Sequence, residues 1–193
     1  MGSNDIPPAD RPAWLIPLSL VFLGLGCAMW SAAYVLMTIR SFKTKSYSMP
    51  IFALSLDLGW ELVYAFYVSE MPLEYLGFGT WLVLDMGLLI TTLKFGRYEW
   101  EHSPAIGRHL GALILVMTAF GIVGNYAFAS WWLSEPGRGF GDKTGKFWGG
   151  REGHDCTELA YWSAAALQVP ASAGSLAMLL VRGHSGGASY TIW

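Results

Sequence analysis

Two carboxylic acids, Asp57 and Glu61, lie in the interior of an apolar stretch, residues 48–69. They are four residues apart, so in an α-helix both side chains lie on one face. The stretch is long enough to cross a bilayer core of ~30 Å. Because a charged Asp at the centre of a membrane helix costs about 2.5–3.5 kcal/mol, the pair indicates a buried polar site. Such acids act in catalysis, in ion or proton paths, or as structural hydrogen-bonding groups, and the pair alone leaves these alternatives open.

The composition of the whole chain is that of a membrane protein. Of its 193 residues, 53% are hydrophobic and 13% are charged, and this charged fraction is about half the usual value for soluble domains. Apolar runs of membrane length recur along nearly the whole sequence, which predicts an all-α polytopic transmembrane bundle as a single domain over residues 1–193. The net charge of -2 argues against a nucleic-acid partner, since there is no basic face to neutralise phosphates.

The apolar runs predict about five complete spans and the start of a sixth. The last five residues, 189–193, are interpreted as that start. The stretch 134–155 is rich in glycine and carries balanced charges, which is typical of a long, flexible, solvated loop. The complete spans are expected at about residues 13–39, 48–69, 73–93, 105–133 and 156–181.

Basic residues indicate the orientation of the spans. They lie in the first, third and fifth loops, whereas the second loop is acidic and the fourth is balanced. Because basic loops stay in the cytosol, we expect the N-terminus and residues 134–155 in the lumen or outside. Glu61, Asn125 and Glu158 then lie in the non-cytosolic half of their spans, and Asp57 and Asp85 lie nearer mid-depth. The basic residues are Arg40, Lys43, Lys45, Lys94, Arg97, Arg108 and Arg182.

Three motifs resemble those of a known family. They are GWELVYAF at 59–66, the run from Asp85 to Lys94-Phe95-Gly96, and RGHSGGASYTIW at 182–193. Together they resemble the small integral-membrane terpene cyclases of fungal meroterpenoid and indole-diterpene pathways and their bacterial relatives. The similarity covers essentially the whole chain in order and spacing, and the last motif is the most specific of the three.

This resemblance implies a seven-helix enzyme, in the endoplasmic reticulum if the chain is fungal. Family members protonate a terminal epoxide or alkene of a prenyl chain and direct the cation through ring closures. The resemblance implies that Glu61, in the Trp60-Glu61 motif, is the general acid. Its partner in the family is an aspartate of the last helix, which has no counterpart before Trp193. We therefore expect either a truncated chain that is a poor catalyst alone, or another acid in the partner's role.

Protonation-initiated cyclisation needs an acid that keeps its proton near pH 7, a dry apolar cavity, and groups that tolerate a carbocation. A membrane interior supplies the first requirement through desolvation. Aromatic π faces supply the last at ~0.5–2 kcal/mol each, although each ring can equally serve packing or an interfacial belt. The candidate aromatic residues are Trp60, Tyr64, Trp30, Trp81 and Trp162. The polar residues expected to support the site are Asp57, Asp85, Asn125 and Glu158, with Asp85 and Glu158 in positioning or structural roles.

No metal and no cofactor are expected. The sequence contains no Asp-Asp pair of the kind that binds magnesium and diphosphate, which argues against an ionisation route. His154, Asp155 and Cys156 are adjacent, but consecutive residues rarely converge on one ion. The expected partners are therefore a hydrophobic prenylated small molecule and the lipid bilayer.

From the residues alone, two other functions stay open beside the cyclase. One is a small membrane transporter or channel in which the intramembrane carboxylates carry protons or ions. The other is a non-catalytic membrane scaffold. The sequence shows no internal repeat, which counts against a transporter built from repeats. A farnesyl or a geranylgeranyl chain, epoxidised at its terminus, fits the cyclase prediction equally well.

Overall fold

Six α-helices and one β-hairpin make up the part of the chain that this computed structural model describes, residues 4–192. Helix α2 continues directly into a π-helical turn, Tyr64–Val68. A two-stranded antiparallel hairpin, β1 Phe147–Trp148 and β2 Arg151–Glu152, lies between the last two helices. The helices are α1 Leu15–Thr44, α2 Ile51–Val63, α3 Pro72–Glu99, α4 Pro104–Arg108, α5 Leu110–Ser134 and α6 Cys156–Arg182.

Five helical segments in the described range are long and apolar enough to cross a membrane. The second of them consists of α2 together with the π-helical turn that follows it. Their large apolar side chains face outward: Met29 of α1 is 73% exposed, Leu115 of α5 is 71% exposed and Leu180 of α6 is 73% exposed. Such surfaces are stable only against lipid. The protein is therefore an integral multi-pass membrane protein, and the predicted class of helical transmembrane bundle is confirmed.

Helix α2 is the central element of the bundle. It packs against α3, α5 and α6, and 61% of its apolar window is buried, against 0–22% for the other long helices. The contact with α5 is close because glycines face each other: a Cβ on Gly59 would lie 2.7 Å from the backbone carbon of Gly121. Small residues of this kind let membrane helices approach backbone to backbone.

Helix α6 runs antiparallel to α2. Near the start of α6, the hydroxyl of Ser163 accepts a hydrogen bond from the Trp60 indole at 2.9 Å. Towards its end, Gly174 lies against Phe52 and Pro50, since a Cβ there would come within 3.1 Å of the Pro50 ring. The order of these contacts sets the far end of α6 beside the first turn of α2.

The observed helices extend past several of the predicted spans. Helix α3 continues to Glu99, and residues 104–134 contain a short helix and a long one separated at His109. The predicted start of a sixth span, 189–193, is non-helical in its described part: α6 ends at Arg182, the left-handed Gly183 (φ 69°) follows, and the chain then forms turns. Trp193 lies outside the described residues.

Residues 134–155 are tied down at one end of the bundle. The Trp148 indole donates to the Val68 carbonyl at 3.0 Å, and the Lys146 ammonium lies 2.8 Å from the Asp5 carboxylate. The backbone N–H of Ile6 donates to the Gly145 carbonyl at 2.7 Å. The glycine-rich segment thus forms a cap that the N-terminal tail holds down, because backbone hydrogen bonds offset the entropy of ordering it.

Candidate active site

Three carboxylic acids converge between α2 and α3. Asp57 and Glu61 come from one face of α2 and Asp85 comes from α3, and each offers an oxygen atom within 4.8 Å of the others. Glu61 is 1% exposed and Asp85 is 0% exposed. The four-residue spacing on α2 sets the first two side by side, and the packing of α3 on α2 adds the third.

This acid cluster has few hydrogen-bond partners and no cation. The Tyr34 hydroxyl of α1 donates to Asp57, whereas both oxygens of Asp85 and Oε2 of Glu61 are buried without a partner. None of the salt bridges within residues 4–192 reaches the cluster. Three ionised carboxylates this close would repel one another strongly, so the stable states of the cluster keep protons.

A cavity of about 590 Å³ opens beside the cluster, within the usual range for small-molecule sites of about 300–1,000 Å³. Its walls come from α1, α2, α3 and α6, with Ile192 of the C-terminal segment. Asp57 and Glu61 are the charged residues among the wall residues, and most of the others are apolar. The acids therefore face an apolar space large enough for a hydrocarbon ligand.

Aromatic rings surround the acidic part of this cavity. Trp30, Trp60 and Trp81 line it together with Tyr34. The indole N–H groups of two of them are held: Trp81 donates to Ser31 at 3.1 Å, and Trp60 donates to Ser163. The ring of Trp60 also packs on that of Tyr64, with 4.7 Å between the centroids. Because the indole N–H groups point to their hydrogen-bond partners, the faces of the rings remain available to stabilise a developing carbocation.

The structure brings together only some of the residues predicted from the sequence. Asp57, Trp60 and Glu61 lie on the cavity wall, and Asp85 and Tyr64 lie directly behind them. Asn125 donates to the Gly121 carbonyl of its own helix at 2.9 Å, outside the cavity wall. Trp162 is 41% exposed and donates to Glu158 at 3.0 Å.

Residues 5–193 match the family of Pyr4-like transmembrane terpene cyclases. The chain belongs to this family. It is 35% identical over 187 residues to terpene cyclase ascF of Acremonium egyptiacum, covering 97% of this chain and 66% of the relative. It is 33% identical to terpene cyclase penB of Penicillium crustosum and to terpene cyclase ptmB of Penicillium ochrochloron, in each case over 98% of this chain and 69% of the relative. The resemblance inferred from the three motifs is thereby confirmed.

The chain spans about two thirds of the length of these curated relatives. No solved structure matches it significantly.

In this Pyr4-family chain, Glu158 belongs to a second charged cluster, in the cap. Its carboxylate contacts the Lys143 ammonium, which also lies 3.1 Å from Asp155. Burial acts to lower the pKa of Lys143, but hydrogen bonds to Glu158 and Asp155 outweigh it, so the pKa is raised. The lysine stays charged at neutral pH and joins the cap to the first turn of α6.

Two residues of the candidate site were not predicted from the sequence. Tyr34 holds Asp57, and Ser163 accepts the Trp60 indole while its hydroxyl lies 2.5 Å from that of Tyr64. No local pattern marks either residue, because Tyr34 and Ser163 are ordinary members of apolar spans. Only the packing of α1 and α6 on α2 shows their role.

The acid cluster is also a set of oxygen ligands. Carboxylate oxygens are what Mg²⁺ and Ca²⁺ prefer, and three of them within 4.8 Å could hold such an ion. The same arrangement of carboxyl groups could therefore either donate a proton or bind a metal ion. The absence of a metal, expected from the sequence, stays a prediction for this family member.

Proposed function

We propose that this chain acts as a terpene cyclase in which Glu61 protonates a prenyl chain bound in the cavity. The observation that supports this most directly is the placement of an almost fully buried, incompletely hydrogen-bonded carboxyl on the wall of an aromatic-lined apolar cavity. A cation formed in such a space meets ring faces and hydrocarbon, with little water to quench it.

The proposed reaction begins and ends with a proton. The Glu61 O–H bond breaks as its proton passes to the oxygen of a terminal epoxide, and a C–O bond opens to leave a tertiary cation. A neighbouring double bond supplies the electrons for each new C–C bond, which moves the cation along the chain. The acid cluster, left one proton short by the first step, then accepts a proton from carbon, which gives a neutral product, so that substrate and product are isomers. A terminal alkene could start the same sequence by accepting the proton at carbon.

Asp57 and Asp85 are proposed to position the proton on Glu61. A carboxylate that accepts a hydrogen bond from a hydroxyl is stabilised in its charged form, so the Tyr34 contact supports Asp57 as the charged member of the cluster. Repulsion from that charge then favours a protonated Glu61, which faces the cavity. Asp85, completely buried behind the pair, can exchange protons with both acids and restore the acid after each turnover.

The reaction itself is the first test. Membranes are prepared that contain either this chain alone or a longer relative into which its sequence is placed. They are incubated with a farnesyl or geranylgeranyl aromatic epoxide. We expect a cyclic product of unchanged mass, and we expect it to form equally well after exhaustive chelation, because the acid and not a metal starts the reaction. Product is measured by gas or liquid chromatography with mass spectrometry, against membranes without the chain. Loss of product with EDTA, restored by magnesium, would instead assign a bound cation to the acid cluster.

We further propose that the cap lies in the lumen of the endoplasmic reticulum and the loop after α1 lies in the cytosol. The basic residues of alternate loops support this orientation. Two single substitutions create glycosylation acceptors, since Asp142→Asn gives Asn-Lys-Thr and Thr44→Asn gives Asn-Lys-Ser. Asp142 accepts from the Thr144 N–H at 3.0 Å, and an asparagine oxygen can do the same.

In microsomes, the Asp142→Asn protein is expected to gain an endoglycosidase-sensitive shift on a gel, and the matched Thr44→Asn protein is expected to run unchanged. The reverse pattern would show that the orientation is opposite to the one proposed, with the acid cluster in the cytosolic half of the bilayer.

A further inference from the structure

The cavity has two chemically different ends. Trp60, Glu61 and Trp81 line the end beside the last turns of α2, and Ser48 and Ser175 line the end beside its first turn. Ser175 lies at the same level as Ser48, because its neighbour Gly174 packs against Pro50 and Phe52 at the start of α2. The cavity therefore follows α2 along its length, with the acids at one end and two hydroxyl groups at the other.

Among the buried Ser and Thr hydroxyls without a partner in the described chain, that of Ser48 belongs to a residue of the cavity wall. Ser48 is 1% exposed, and its Oγ has no hydrogen-bond partner within the described chain. Leaving a buried hydroxyl unpaired costs about 1–3 kcal/mol, and native proteins seldom tolerate that without a reason. Because Ser48 borders the cavity, a molecule in the cavity can supply the missing partner.

The C-terminal glycine motif fixes this end of the cavity. A Cβ on Gly187 would lie 2.9 Å from the Ser48 Cβ, so only glycine allows the segment to pack there. The Arg40 guanidinium donates to the Gly186 carbonyl at 3.1 Å and anchors the segment to α1. With Ile192 on the cavity wall, the segment forms a floor against which Ser48 is held in one position.

The charges of the wall residues restrict which headgroup can bind at the end with Ser48 and Ser175. The charged wall residues, Asp57 and Glu61, belong to the acid end, and no Lys, Arg, His, Asp or Glu of the described chain lines the end with Ser48 and Ser175. An anionic head such as a diphosphate, or an ammonium, would lie there without a counter-charge. A neutral hydroxyl group can both donate to and accept from the two serines.

We infer that the end of the cavity formed by Ser48 and Ser175 binds the neutral, hydroxyl-bearing headgroup of the substrate, with the prenyl chain extended along α2 to Glu61. This inference rests on the proposed cyclase function and adds the direction of binding to it. The rise of α2 from Ile51 to Glu61 is about 15 Å, which an extended chain of about three isoprene units spans at roughly 5 Å each.

Binding of probes that lack the terminal epoxide tests the inference separately from product formation. The probes are farnesylhydroquinone and farnesylbenzene, which differ only in their hydroxyl groups, and binding to the purified chain in detergent micelles is followed by quenching of the cavity tryptophans. Wild type is expected to bind the hydroquinone about 3- to 10-fold more tightly, the effect of one or two hydrogen bonds. Ser48→Ala should remove most of this preference and leave the affinity for farnesylbenzene unchanged.

Ser175→Ala should reduce the preference in the same sense. Ser130→Ala is the matched control with wild-type behaviour, because Ser130 is a half-buried serine of α5 outside the cavity wall whose hydroxyl donates to the Ala127 carbonyl of its own helix. Equal affinity of wild type for the two probes would overturn the inference, and so would a preference that survives Ser48→Ala. If the inference about the headgroup fails, the proposed function does not fail with it. The cyclase proposal depends on product formation and on Glu61, and a substrate bound in the reverse direction could still be protonated.

Discussion

Glu61→Gln is expected to abolish cyclisation while the protein still folds and inserts. Glutamine keeps the size and the hydrogen-bonding capacity of the side chain but has no transferable proton. General acids contribute about 10²–10⁴-fold, and an epoxide in an apolar cavity has little other means of opening, so the loss should lie at or beyond the upper value. The rate is measured as cyclic product per amount of membrane-inserted chain, in a context in which the wild-type sequence is active.

Two matched variants separate acid catalysis from a general effect of removing charge. Asp57→Asn should reduce the rate less than Glu61→Gln, because Asp57 is proposed to tune the acid and not to deliver the proton. Glu158→Gln removes a carboxylate from the cap, outside the cavity wall, and should leave the rate near that of wild type. If Glu61→Gln inserts normally and cyclises at a near wild-type rate, the proton donor is another group, and Asp57 is the next to test.

Among single changes at the end of the bundle opposite the cap, Arg182→Met is expected to lower the free energy of unfolding the most. The Arg182 guanidinium lies 2.6 Å from Glu99 of α3, donates to the Tyr47 carbonyl at 3.0 Å, and lies 3.9 Å from the centroid of the Tyr47 ring. Only 10% of its side chain is exposed. Removing one partner of such a pair leaves the other charge uncompensated, at about 3–5 kcal/mol.

The loss should appear as a lower midpoint of thermal unfolding for the detergent-solubilised protein. Arg108→Met, at an exposed position of α4, is the control, with an expected change within about 0.5 kcal/mol. The double variant Arg182→Met with Glu99→Met should recover part of the loss, since an apolar pair leaves no buried charge behind. Equal midpoints for the Arg182→Met and Arg108→Met proteins would show that this ion pair is not what holds α3 and α6 together.

Much of the architecture follows from the sequence alone. Helices of membrane length need apolar runs of about 20 residues, and five such runs can be read directly because no water is available in a bilayer to satisfy any other backbone. The four-residue spacing of Asp57 and Glu61 likewise predicts one shared face, since helical periodicity is a local property. The three motifs were sufficient to predict the family, which the comparisons confirm.

The composition of the site was decided only by the tertiary structure. Asp85, Asn125 and Glu158 are equally plausible supporting residues in sequence, yet only Asp85 reaches the acids, because the rotation of each helix about its axis is set by its neighbours. In the sequence, Arg182 and the glycines after it serve only as part of the most specific of the three motifs, without a physical explanation. In the fold they have one, since they bring α1, α3 and α6 together and close the cavity.

The sequence therefore determined the helices and the positions of the acids along them, because hydrophobic length and helical period act within one segment. The tertiary structure decided which acids meet, which aromatic rings face the cavity and where its hydroxyl groups lie. Those outcomes depend on close backbone approaches, such as Gly59 against Gly121, and on hydrogen bonds such as that from Trp60 to Ser163. Contacts of this kind join residues far apart in the chain, and no local pattern encodes them.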